Sequence, residues 1–237
     1  MNASINRTAA IFLKELQDIK SNTNVLIMYI MPILMTVLYK NFITGLDTSF
    51  ILGFGLLFLV TMVGMYVPAM MIAEEKEKKT LQVLILSPAR PIEIFIGKGL
   101  LTFVSVLITM VILLFISGNG FAHGTVVITA SILTSIFGIL IGMIIGMLAQ
   151  NQMATGVIGT PIYMLLMLVP LLAQIGSGVM LTIGKFLPTF YLLDMIRKTF
   201  EQGKSLGDLW FDILILAGSV IAAFIILLVV YRKKGLE

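Results

Sequence analysis

The residues able to do chemistry are few, and their spacing does not suit catalysis. The chain holds one histidine, His123, and no cysteine. A lone imidazole builds neither a histidine metal cluster nor a histidine-paired triad, and without thiols there is no disulfide framework or thiolate metal site. The G-x-x-x-x-G-K-[ST] phosphate loop is absent: Gly97-Lys98 is followed by Gly99 and Gly184-Lys185 by Phe186, so the hydroxyl that would hold magnesium is missing from both. No catalytic residue, metal site or cofactor is expected in this chain, and it reads as non-enzymatic. The densest run of ionisable groups is Glu74–Lys98, EEKEKKTLQVLILSPARPIEIFIGK. Its chemistry is ion pairing and docking.

The elements that must position this run follow from composition. Of 237 residues, 59% are hydrophobic and 12% charged, with a mean hydropathy of +1.07. Soluble domains are about 45–50% apolar and about 25% charged, so a water-soluble enzyme and a disordered chain are both excluded. Gly99 to Gly184 is 86 residues without a formal charge. A membrane helix takes about 20 residues. Uncharged runs at Ser21–Tyr39 and Thr48–Ala73, three further runs near 95–116, 126–148 and 154–175, and a last one at Ile213–Tyr231 give six spans, with turn signals at 117–120 and 149–152. The fold class is an all-α polytopic membrane protein, one transmembrane domain over residues 1–237.

Three segments remain outside the spans. Residues 1–20 place Ile5, Ala9, Phe12, Leu13, Leu16 and Ile19 on one stripe, with Arg7, Lys14 and Asp18 opposite, an amphipathic helix expected to lie in the interface. Residues 74–92 join spans two and three. Residues 177–207 are too apolar for a plain loop and too charged to span, and read as re-entrant helices after Pro188. Eleven Lys/Arg fall on the side of the termini and five on the other, so both termini are expected in the cytoplasm. The net charge of +4 is thus a topology signal rather than a nucleic-acid one. No ionisable group lies deep in a span, which disfavours ion-coupled transport.

Within the 74–92 segment, Thr80 can cap a short helix whose apolar face is Leu81, Leu84 and Ile85, stopped by Ser87-Pro88. Such a helix suits a groove on another protein or the lipid surface, and the pattern alone leaves both open. Here the sequence resembles the ABC-2-type exporter permeases. The residues that carry the resemblance are Glu75, Glu77, Thr80, Leu81, Leu84, Pro88, Arg90, Gly97 and Lys98, together with the outer motif Pro188, Tyr191, Asp194 and Arg197. Lys79 stands where the family usually has glycine, and Gln82 where it usually has glutamate.

The resemblance implies the transmembrane subunit of a bacterial ATP-driven exporter in the cytoplasmic membrane. Two permease chains, identical or related, would pair above two ABC ATPase subunits that bind ATP and magnesium. It makes residues 80–87 a coupling helix, with Glu75, Glu77, Lys79, Thr80, Leu81, Gln82, Leu84, Ile85, Ser87 and Arg90 as the contact with the ATPase. It also assigns spans one and five to the permease seam and the translocation path. There the sequence is rich in adaptable and aromatic side chains: Met28, Tyr29, Met31 and Met35 around Pro32, and Tyr163, Met164 and Met167 between Pro161 and Pro170. An uncharged path of this kind suits an amphipathic or hydrophobic cargo, such as a peptide toxin, a peptide antibiotic or a lipophilic drug. Gly138, Gly142 and Gly146 form a small-residue face on span four, either a dimer contact or an internal one. The competing reading is a self-sufficient channel with no ATPase.

Overall fold

The computed structural model describes residues 2–43, 45–80, 91–118, 123–174, 176 and 178–234. Backbone groups in hydrocarbon have no water to bond, so a chain this apolar closes its hydrogen bonds within helices. The helices are α1 (Asn2–Ser21), α2 (Thr23–Phe42), α3 (Thr48–Glu77), α4 (Pro91–Ser117), α5 (Gly124–Leu148), α6 (Gln152–Gln174), α7 (Gly178–Gly184), α8 (Pro188–Gln202) and α9 (Trp210–Lys234), the last entered through a 3-10 turn at Leu206–Leu209. Six of these, α2 to α6 and the Leu206–Lys233 stretch containing α9, are long and apolar enough to cross a bilayer. The expected spans agree in number and order, with ends displaced by a few residues.

The bundle is built around α3. Leu52, Leu56, Leu59, Val63 and Val67 of α3 are buried against Leu101, Val106 and Leu113 of α4, Val126, Val127 and Ala130 of α5, and Leu192, Met195 and Ile196 of α8. By contrast α2, α6 and α9 lie at the periphery and expose Ile30 and Leu34, Val157 and Leu165, and Ile221 and Ile225. At 30 residues α3 is about 45 Å long at 1.5 Å per residue. A hydrocarbon core is about 30 Å thick, so α3 carries its last turns, with Glu74, Glu75, Lys76 and Glu77, beyond it.

Halfway along α3, Leu59–Tyr66 is wound as a π-helix. Opposite it lies the glycine face of α5, which the sequence left between two uses. A Cβ on Gly138 would meet the Val60 carbonyl oxygen at 3.0 Å, and one on Gly146 the Ala69 carbonyl oxygen at 2.7 Å. A Cβ on Gly142 would land on the Met65 carbonyl oxygen, nearer than real side chains approach. The small face therefore seats α5 directly on the backbone of α3, within the chain.

The segment expected to be re-entrant consists of α7 and α8, bent by 109° at Lys185–Leu187. Pro188 opens α8 at its first turn, where its missing N–H costs nothing. Helix α8 inserts into the bundle with Phe190, Leu192, Leu193, Met195 and Ile196 buried. Gly203 closes it in the left-handed conformation, φ +65°. Gly203-Lys204-Ser205 does carry a Gly-Lys-hydroxyl sequence, but Lys198 occupies the place of the first loop glycine, and the Ser205 hydroxyl donates to Asp208 at 2.8 Å in the cap of the next turn. It is a helix junction, not a phosphate loop.

Helix α1 is seated on the bundle through Ile11 and Glu15, both buried, with Phe12 and Ile19 of the apolar stripe packed on the central core. Lys14 of the charged side is exposed, and so are Leu13 and Leu16 of the apolar stripe. A Cβ on Gly97 of α4 would meet Ile11 Cγ2 at 2.7 Å, so glycine lets the two helices touch. The reason lies in what Glu15 finds there.

Candidate functional site

Among the described residues Lys98 is the largest side chain that is fully buried, 1% exposed, in the second turn of α4. An isolated ammonium so deep would cost several kcal/mol. It is compensated by two buried carboxylates from different helices, Glu15 of α1 and Glu75 of α3, at 3% and 4% exposure. Lys98 Nζ lies 2.5 Å from Glu15 Oε1 and 3.3 Å from Glu75 Oε1, and donates to the Met71 carbonyl at 3.4 Å. Lys14 closes the cluster, pairing with Glu75 and lying 3.3 Å from Glu15 and 3.1 Å from Asp18. Burial alone would lower the pKa of the Lys14 ammonium. The hydrogen bond to Glu75 and the charges of Glu15 and Glu75 outweigh that and hold it above the usual lysine range. Two cations and two carboxylates balance at the centre, with Asp18 at the rim.

Further contacts spread from the same turn of α3. Asn22, the N-cap of α2, donates from Nδ2 to Glu74 Oε2 at 2.9 Å, and Lys78 lies 2.5 Å from Glu74 Oε1. Lys76 donates to the carbonyls of Met147 and, at 3.2 Å, Ala149, the last turn of α5. Glu77 accepts from the backbone N–H of Gln152, the first residue of α6, at 3.1 Å. A cation at a helix C-terminus and an anion at an N-terminus each sit on the favourable pole of a helix dipole. Nearby, Arg7 of α1 grips Glu93 of α4 through two bonds of 2.8 and 2.9 Å, which raise the pKa of the guanidinium further. The end of α3 is thus tied by polar contacts to α1, α2, α4, α5 and α6.

Of the residues assigned to the docking surface, the structure moves one inward. Glu75 is buried and already committed to Lys14, Lys98 and the hydroxyl of Thr80, which also donates to the Glu75 carbonyl at 3.3 Å. Glu77, Lys79 and Thr80 are exposed. Lys79 adopts φ +57°, and is the one non-glycine residue with positive φ among the described residues. The chain thus leaves the end of α3 through the left-handed region that glycine adopts most readily. Leu81, Gln82, Leu84, Ile85, Ser87 and Arg90, and with them the coupling helix itself, lie outside the described residues.

The other assigned groups separate into two places. Met28 and Tyr29 pack on the central core, whereas Met35 joins Tyr163 and Met167 around Phe54, Leu57 and Phe58 of α3. Met31 is half-buried and Met164 exposed. At the far end Asp194 is buried beside Arg197 at 2.9 Å and Lys198 at 2.7 Å, and Lys198 reaches Asp212 of α9 at 2.9 Å. Tyr191 donates its hydroxyl to the Lys185 carbonyl at 2.9 Å, across the corner between α7 and α8. The outer motif therefore locks the inserted helix to its neighbours. Sequence reasoning named Glu75, Asp194 and Arg197 but missed Glu15, Lys14 and Lys98 as partners and Asp212 as the far anchor. Glu15 stands between Lys14 and Asp18 in the chain, so no pattern set it apart from a solvated charge.

The chain matches a protein-family model described as ABC-2 family transporter protein over residues 1–229. A comparison with curated proteins finds no match.

Proposed function

Since the chain belongs to the ABC-2 family of transporter proteins, and is thus a membrane permease component of an ABC transporter, we propose that it is the moving half of an exporter. In this reading both termini face the cytoplasm, residues 80–87 form the coupling helix in a groove of the ATPase, and the cargo is amphipathic or hydrophobic. The observation that carries the reading is the buried Glu15–Lys98–Glu75–Lys14 cluster at the foot of α3, immediately before the segment that would dock.

The mechanism follows from rigidity. A push delivered to residues 80–87 enters α3 through Thr80 and Lys79. It cannot be absorbed at the foot, because the foot is pinned to α1 and α4 by the ion cluster and to the α5–α6 corner by Lys76 and Glu77. The helices therefore move together, as a packed element with two arrangements whose balance the partner biases. The soft point is higher up, where the π-helical turn lies on the glycine face of α5. Such turns are commonly found at functional sites. Displacement of α3 is transmitted to Phe54 and Phe58, and through them to Met35 on α2 and Tyr163 and Met167 on α6. That apolar surface is the part of the bundle suited to admit a hydrophobic cargo at the seam between two permeases.

Leu84→Asp tests the reading. In the permease co-expressed with its ATPase, the substitution is expected to abolish co-purification of the ATPase and nucleotide-driven transport while leaving membrane insertion and thermal melting unchanged. Unchanged co-purification and transport would remove the coupling role. Nucleotide-independent leakage from liposomes holding this chain alone would favour a self-sufficient channel instead.

A further inference from the structure

The face of the bundle made by α4, α5 and α9 carries a groove of about 410 Å³ that none of the assigned path residues lines. Its walls are apolar throughout, with Gly99 and Phe103 of α4, Met143 of α5 and Leu228 of α9 among them. Phe95 and Tyr231 stand at one end, edge to face at 5.6 Å. The lining residues of α4 are its first turns and those of α9 its last, so the groove opens in the leaflet nearest α1. A concave apolar groove facing hydrocarbon is filled by lipid tails. The charge above it selects among them.

On α9 the groove-lining positions are Phe224, Leu227, Leu228 and Tyr231; Arg232 lies one turn after Leu228 on the Phe224–Leu228 row, and Lys233 follows it. Both are exposed. Among the described residues no ion pair engages either of them, whereas at the same end Glu15, Glu75 and Glu93 are paired with Lys98, Lys14 and Arg7, Asp18 with Lys14 and Glu74 with Lys78, and Glu77 accepts from the Gln152 N–H. The helix register therefore puts Arg232 beyond the groove's end with Lys233 next to it, and among the described residues no carboxylate pairs with either.

We propose that the groove between α4, α5 and α9 is a binding site for an anionic phospholipid, one acyl chain lying along Gly99, Phe103 and Met143 and the phosphate headgroup held by Arg232 and Lys233. An aromatic pair at the groove's end, Phe95 and Tyr231, sits where aromatic side chains favour the interface. Basic side chains next to a span attract anionic lipid by the same physics. The site requires only that the six helices cross a bilayer. It holds whether or not residues 80–87 couple to an ATPase.

The test is lipid retention by the full-length chain alone, purified from nanodiscs made of equal parts phosphatidylglycerol and phosphatidylcholine with matched tails, and read by native mass spectrometry. Wild type is expected to retain phosphatidylglycerol about tenfold over phosphatidylcholine. The double variant Arg232→Gln/Lys233→Gln should lose the preference, and Leu100→Trp, which narrows the groove, should lose the bound lipid of either kind. Lys185→Gln, at the far end, should change neither. Equal retention of the two lipids by wild type, or an undiminished preference in the double variant, would overturn the proposal. So would full retention in a Leu100→Trp protein, which would leave a headgroup contact with no tail site. Thermal melting of each variant, expected to match wild type, separates loss of lipid from loss of fold.

Discussion

Replacing Lys98 with methionine probes whether the cluster at the foot of α3 is a charge-balanced unit. The substitution preserves length and apolar stem, so the effect is that of the charge. In the native arrangement Glu15 and Glu75 share Lys98 and Lys14. Without Lys98, two carboxylates of 3% and 4% exposure face each other with one cation between them, and that cation is half exposed. Breaking a buried pair by removing one partner costs about 3–5 kcal/mol. For a chain of this size each kcal/mol moves the melting temperature by about 2–4 °C, so a fall of about 6–20 °C is expected. Adding Glu15→Gln restores neutrality, because Lys14 and Glu75 remain as a pair. The double variant Lys98→Met/Glu15→Gln should therefore be more stable than Lys98→Met alone, with a coupling energy of about 2 kcal/mol or more, at the upper part of the range for residues in one network. The assay is thermal melting of the detergent-purified protein, with transport per ATP hydrolysed measured alongside in the assembled transporter. If Lys98→Met shifts the melt by less than a couple of degrees, or the double variant loses as much as the two singles summed, the cluster is not the balanced unit that pins α3.

Other expectations are local. Gly142→Ala should destabilise by about 1–3 kcal/mol through overpacking, since the added methyl meets the Met65 carbonyl and not a side chain that can swing away. Gly156→Ala, on α6 with nothing within 4 Å of the new Cβ, should instead stabilise by about 0.5–1 kcal/mol. Equal melting shifts for the two would contradict the packing of α5 on α3. Lys79→Gly should raise stability by about 1 kcal/mol by relieving the left-handed backbone at φ +57°. A fall in melting temperature would show that the lysine side chain contributes more than its backbone costs.

How much was legible in advance varied with the physics involved. Six spans could be read because hydrocarbon tolerates few charges, so the charges of the chain mark its boundaries. The bend at α7–α8 was readable from Pro188 and from a segment too charged to cross. The outer motif was found as a string of residues, but its work was not: Asp194 and Lys198 sit on one helix, and the far partner Asp212 belongs to the next. On α1 the amphipathic pattern shows two faces but does not say that Glu15, beside the charged one, meets protein. The glycine face of α5 was likewise visible as a pattern without a partner.

The sequence by itself determined that this is a polytopic helical membrane protein of the ABC-2 type, since apolar run length and motif order are local properties of the chain. Only the tertiary structure decided which charges neutralise one another. Lys98 lies 83 positions from Glu15 and 23 from Glu75. In sequence it is a lysine at the start of a span, indistinguishable from an interfacial anchor. It becomes the buried centre of the foot of α3 because folding removes it from water and a buried ammonium must have its carboxylates within hydrogen-bond reach. No spacing rule along the chain encodes that requirement. It is met only when three helices converge.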